Sequence, residues 1–234
     1  MKTALALRHS AHVGLDLVGE WLRARGYAIR TIDAPKEDLP AARDAIVGAD
    51  ALILLGGEMG VYETEKYPWL KEEFALVRER IDARGPTLGL CLGAQVMAAS
   101  LGARVYPGAA GQEIGWVDID FIGESVLSPL VGKKLMQWHG DTFDLPEGAT
   151  RLARNATYEN QAFEAGAHAL GLQFHLELSA EGLETWLRPD RDHPQLLRLG
   201  LTNADLRAQA AAAVPAMKEP AFAALDNWRA KSGA

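Results

Sequence analysis

The chain holds one cysteine, and its neighbours make it the first residue to weigh for chemistry. Cys91 stands between glycines in Gly89-Leu90-Cys91-Leu92-Gly93-Ala94-Gln95, directly after a short apolar run. This G-x-C-x-G pattern is the thiol form of a nucleophile elbow, in which a strand turns sharply into a helix with one side chain at the apex. Flanking side chains would crowd such a turn, and the apex residue is held in a strained backbone conformation. A helix starting there places Cys91 at the positive end of a macrodipole, which favours a thiolate. It also aims the Leu92 N–H at the place where an oxyanion would form. The plainer reading is a close-packed strand–helix corner with a buried thiol, and the partners must decide between the two.

A thiol nucleophile needs a base, and the base needs an orienting group. Six histidines are available. His9 and His12 lie in or just after the first apolar run, and His168 opens a later one on the opposite edge of the sheet. His193 follows the charged stretch Arg188-Pro189-Asp190-Arg191-Asp192, which reads as exposed. His175 ends the buried run 169–174, on the same rim as Cys91, and Glu177 follows at i+2, so an extended chain puts both on one side. The loop Gly56-Gly57-Glu58-Met59-Gly60 offers backbone N–H groups at close approach. Taken singly, these are a structural histidine with a surface glutamate and an ordinary turn.

The elements that must position these residues alternate in type. Residues 3–8, 27–33, 51–55 and 87–90 read as strands, the last two as continuous apolar runs suited to a sheet covered on both faces. Residues 15–25, 40–48, 69–84 and 94–101 read as helices, the third with Leu70, Phe74, Val77 and Ile81 at helical intervals. This order predicts an α/β fold: an open, mostly parallel sheet with helices on both faces and function at the carboxyl ends of its strands. Residues 103–163 read as a small β-rich excursion with strands at 113–121 and 149–153. Beyond Ser179 the chain reads as helical, broken at Pro215 and Pro220. One domain over 1–234 is expected, with a core at 1–180 and a helical extension at 181–234 packing on it. The aromatics Trp186, Phe222 and Trp228 then serve as packing or as an interface.

Lys plus Arg total 24 against 31 Asp plus Glu, a net charge of −7 with both signs mixed along the chain. That leaves no footprint for nucleic acid or an anionic membrane. No apolar run approaches the roughly 20 residues of a membrane span, and Arg8-His9 cuts short the apolar start. A single cysteine allows no internal disulfide and no multi-cysteine metal site. We expect a cytoplasmic protein without metal or cofactor.

Four ordered blocks, GGEMGVYE (56–63), GLCLGAQ (89–95), QWHGDTF (137–143) and LQFHLEL (172–178), together resemble the class I glutamine amidotransferases. The likeness is strongest to the glutaminase domain of GMP synthetase and its free-standing relatives, over about the first 180 residues. The resemblance implies the flavodoxin-like fold of that family and attack by Cys91 on the side-chain amide of glutamine or another γ-glutamyl compound. It further implies proton relay by His175, orientation of His175 by Glu177, and oxyanion donors at Gly57 and Leu92. Gln95 would touch the substrate, and Trp138 with His139 would hold its α-groups, though His139 and Asp141 also fit a polar turn. Three family positions differ: Leu176 replaces a proline between His175 and Glu177, Glu58 replaces a proline in the glycine loop, and Ala94 replaces a histidine. A negative Glu58 near the pocket would favour an amine over a second anionic group.

Three functions stay open. One is a glutaminase passing ammonia to a separate synthetase, since the chain has no GxxxxGK[ST] phosphate loop. The second is a free-standing γ-glutamyl hydrolase or peptidase that releases an amine. The third is a non-catalytic binding or regulatory protein on the same fold. Homo-oligomer formation is also left open.

Overall fold

The computed structural model describes residues 2–187 and 191–234. Its first half alternates as the apolar runs predict: β1 (Thr3–Arg8), α1 (Asp16–Ala24), β2 (Ala28–Asp33), α2 (Arg43–Gly48), β3 (Ala51–Leu54), α3 (Trp69–Asp82), β4 (Thr87–Leu90) and α4 (Leu92–Ser100). Then come β5 (Val105–Pro107), β6 (Glu113–Asp118), β7 (Asp120–Phe121), β8 (Lys134–His139), β9 (Asp141–Phe143), β10 (Thr150–Arg154), β11 (Ala162–Ala165) and β12 (Ala169–Leu172). The chain closes with α5 (Ala180–Trp186), α6 (Pro194–Arg198), α7 (Asn203–Ala213) and α8 (Lys218–Ser232).

The main sheet is eight-stranded in the order β2-β1-β3-β4-β12-β11-β10-β7. The first five strands are parallel, and β11, β10 and β7 extend one edge antiparallel. β1 shows why the centre reads as unbroken apolar sequence: Ala4 and Ala6 face one core while Leu5 and Leu7 face the other. The first core packs Trp21 and Leu22 of α1 with Leu225 and Trp228 of α8 on the sheet, and the second packs α2, α3 and α4 on the opposite face.

The expected strand 113–121 divides in two. Its first part pairs with β8 as a separate hairpin-like sheet, whereas Asp120–Phe121 joins the edge of the main sheet. β5, β8, β9 and β11 carry no clear alternation in sequence; β5, β8 and β9 depend on pairings with strands removed along the chain, and β11 is held between its neighbours β10 and β12. The expected breaker Pro220 sits inside the first turn of α8, where its missing N–H breaks no intrahelical bond. A third core joins Ile114, Trp116 and Met136 of the β6–β8 pair to Leu183, Leu196 and Leu206 of the C-terminal helices. This packing swings α5 and α6 over the carboxyl rim of the sheet.

Candidate active site

Cys91 follows β4 and is the cap residue of α4, with φ 51° and ψ −108°. A non-glycine residue rarely occupies this region, so the turn holds strain at the apex. The flanking glycines are required by close approach. A Cβ on Gly93 would lie 2.1 Å from the carbonyl oxygen of Leu54, and one on Gly89 would lie 2.6 Å from the backbone of Gly93. The Cys91 N–H is spent in the sheet, donating to Leu172 O at 2.8 Å. Leu92, first in α4, has an N–H that the helix ladder does not use.

His175 and Glu177 follow β12, the strand beside β4. The His175 N–H donates to Met136 O of β8 at 2.8 Å, and the Glu177 carbonyl accepts from Leu17 N–H at 3.0 Å. His175 Nδ1 lies 2.5 Å from Glu177 Oε1, and both side chains are buried. Burial opposes charge on the imidazole, yet the charges and hydrogen bonds of Glu177 and Cys91 outweigh it and raise the His175 pKa to about 10. Gly56 fits between the two groups: a Cβ there would sit 3.2 Å from His175 Cε1 and 3.8 Å from Cys91 Cβ.

Cys91, Gln95, His139, Trp138, Gly57 and His175 line one cavity of about 590 Å³, while Glu177 and Leu92 stand behind its wall. The substrate candidates are not equally free to bind. Gln95 Nε2 donates to Gln173 Oε1 at 3.0 Å. The Trp138 indole N–H donates to Gln195 Oε1 at 2.7 Å, leaving the Trp138 carbonyl 3.8 Å from Cys91 Sγ. His139 Nδ1 donates to Asp141 O at 2.9 Å, and its Nε2 lies 3.3 Å from Glu113 Oε2. Burial raises the pKa of Asp141, which takes a 3.5 Å hydrogen bond from Tyr62. At the lip, the exposed Glu58 lies 3.4 Å from His12. The other two departures are packing positions, since Leu176 and Ala94 are buried.

Several groups in or behind the cavity wall escaped the sequence reading. Gln173 donates to Cys91 Sγ at 3.6 Å, and the i, i+2 rule that pairs His175 with Glu177 reaches it one step earlier. Trp186 packs edge-on against His175 with ring centroids 4.7 Å apart. Trp138 then meets both Trp186 and His193 in edge contacts. His193, read as exposed, is therefore part of the site; of the charged stretch before it, residues 188–190 lie outside the described residues. No local pattern marks α5 and α6 as active-site walls.

A family model described as glutamine amidotransferase class-I matches residues 18–187. The glutamine amidotransferase-like protein YfeJ of Salmonella typhimurium is 30% identical over 174 residues, covering 70% of this chain and 71% of that protein. The glutamine-hydrolyzing GMP synthase of Thermomicrobium roseum is 34% identical over 131 residues, which is 55% of this chain but only 23% of the synthase. Among solved structures, a glutamine amidotransferase from Thermotoga maritima superposes with a TM-score of 0.84 at 34% identity, covering 97% of each chain. One from Methylobacillus flagellatus gives 0.78 at 25% identity, covering 99% of this chain and 95% of its own. With most of its length matched by the family model and its fold matched end to end, this chain belongs to the class I glutamine amidotransferase family.

Proposed function

We propose that the protein hydrolyses γ-glutamyl amides through a thioester at Cys91. The observation that carries this reading is the His175 imidazole, clamped by Glu177 at 2.5 Å and carried to a raised pKa beside Cys91. In the first step Cys91 Sγ attacks the amide carbon and the carbonyl oxygen becomes an oxyanion. Gly57 and Leu92 N–H groups supply its hydrogen bonds, each worth about 3–4 kcal/mol of barrier. His175 then protonates the leaving nitrogen as the C–N bond breaks, and Glu177 stabilises the imidazolium until that transfer. Water, deprotonated by His175, attacks the thioester, and glutamate leaves as Sγ is released.

Free glutamine with ammonia as the leaving group is the primary substrate reading, supported by the family. The relatedness to GMP synthases supports a separate synthetase as the ammonia acceptor, because this chain spans about a quarter of such an enzyme. One observation favours a second reading, a hydrolase that releases a larger amine. His193, Gln195 and Arg198 line the cavity yet lie past residue 187, where the family match ends. A wall built from residues past the family model's match, in a cavity of about 590 Å³, suits a leaving group larger than ammonia.

Purified protein incubated with glutamine, γ-glutamyl amines and γ-glutamyl dipeptides separates these readings by which nitrogen compound is released. Cys91→Ala is expected to retain the fold by circular dichroism and to lose turnover by about 10⁴-fold or more. Equal turnover by wild type and Cys91→Ala would remove the nucleophile role.

A further inference from the structure

We propose that the buried pair His9–Glu73 is a positioning device that holds the Gly56–Gly57 loop with its N–H facing the oxyanion site. The inference rests on the oxyanion role of Gly57. His9 lies just past β1, and its ring reaches two acceptors. Nδ1 is 2.9 Å from the carbonyl oxygen of Leu55, and Nε2 is 2.9 Å from Glu73 Oε1. A carbonyl oxygen can only accept, so Nδ1 carries a hydrogen. Burial opposes a charge on the ring, while the Glu73 charge and these hydrogen bonds together raise its pKa, and Nε2 faces the Glu73 carboxyl across a hydrogen bond. Tied at both nitrogens, the ring is a rigid two-ended strut.

One end of the strut is fixed to α3. Glu73 and Trp69 lie one helical turn apart on the same face, and the indole stacks on the imidazole at 5.6 Å with planes 15° apart. The other end sets the peptide plane between Leu55 and Gly56. The next peptide carries the Gly57 N–H, and the body of His9 limits it too: a Cβ on Gly57 would lie 3.0 Å from His9 Cβ and 2.7 Å from Leu92 Cδ2. The loop therefore runs between His9 on one side and Cys91 with His175 on the other.

Stability gives little reason to keep this pair. Both side chains have zero exposure, Glu73 Oε2 has no hydrogen-bond partner among the described residues, and a buried ion pair seldom outperforms well-packed apolar groups. A functional reason is the better account, because a loop with two adjacent glycines has enough freedom to turn its N–H away from the cavity.

The test compares wild type, Glu73→Gln and the double variant His9→Leu/Glu73→Leu, which strands no buried charge. Turnover of a γ-glutamyl substrate is measured alongside alkylation of Cys91 by iodoacetamide, a reaction with no oxyanion to stabilise. The double variant is expected to melt within a few degrees of wild type and alkylate at a comparable rate. Its kcat should fall by about 10²-fold, with KM changed by less than about threefold. Glu73→Gln keeps a hydrogen-bonding partner for Nε2 and should recover most of that loss. An unchanged kcat in the folded double variant, or a parallel fall in alkylation and kcat, overturns the positioning role. A wild-type protein that turns over no γ-glutamyl compound overturns the reading beneath it instead.

Discussion

Gln173 donates its amide N–H to the sulfur of Cys91 at 3.6 Å, while its own carbonyl accepts from Gln95 at 3.0 Å. The two glutamines thereby share one buried chain of hydrogen bonds that ends on the Cys91 sulfur. A donor to sulfur stabilises the negative charge that the sulfur carries when it attacks or leaves.

Removing that donor while keeping the packing isolates its effect. Gln173→Leu is expected to slow both iodoacetamide alkylation and turnover by about tenfold, the worth of one hydrogen bond to a charged group. Mass spectrometry of the alkylated protein measures the first, and release of glutamate the second.

The His175 pKa is raised from its ordinary 6.5 to about 10, so the folded state favours the imidazolium. The associated stability is fully present below pH 6.5 and is lost as pH rises through about 10. Glu177→Gln removes the larger of the two charges that offset burial, so the pKa falls. The alkaline limb of kcat/KM is then expected to move to lower pH, and the loss of melting temperature toward pH 10 to flatten. An alkaline limb that stays in place would count against His175 as the titrating acid.

Two glycine substitutions are expected to differ in kind. In Gly93→Ala the new methyl meets the Leu54 carbonyl oxygen at 2.1 Å, a backbone atom that cannot move aside. The expected result is a loss of stability of about 3 kcal/mol or more, or no folded protein. In Gly57→Ala it meets mainly the side chains of Leu92, Met59 and His9. That variant is expected to fold and to lose about 10- to 100-fold in kcat as the oxyanion N–H shifts. Thermal melts and steady-state kinetics on the two proteins distinguish the effects.

Gln195 anchors α6 to the Trp138 indole, and Trp186 backs the His175 ring. If this wall seats a leaving amine, Gln195→Ala should raise KM for a γ-glutamyl amine about tenfold, with a much smaller change for glutamine. Equal changes for both substrates would assign the wall to the glutamyl half.

Residue order by itself determined the α/β alternation, because buried parallel strands leave unbroken apolar runs such as 51–55 and 87–90. It also marked the elbow at Cys91 and the i, i+2 pair His175 and Glu177, since both depend on near-neighbour geometry. The strands β5, β8 and β9 were illegible because their pairing partners lie well removed along the chain, and β11 because its four residues are too few to show an alternation. The same holds for the site's outer parts. His9 reads locally as a strand-end histidine, and only the folded chain brings Glu73 and the Leu55 carbonyl to its two nitrogens. Trp186, His193 and Gln195 reach the cavity only because α5 and α6 bury Leu183 and Leu196 against the β6–β8 pair. The Cys91 turn and the His175–Glu177 pair are local and legible in sequence, whereas the shape of the pocket was set by long-range packing.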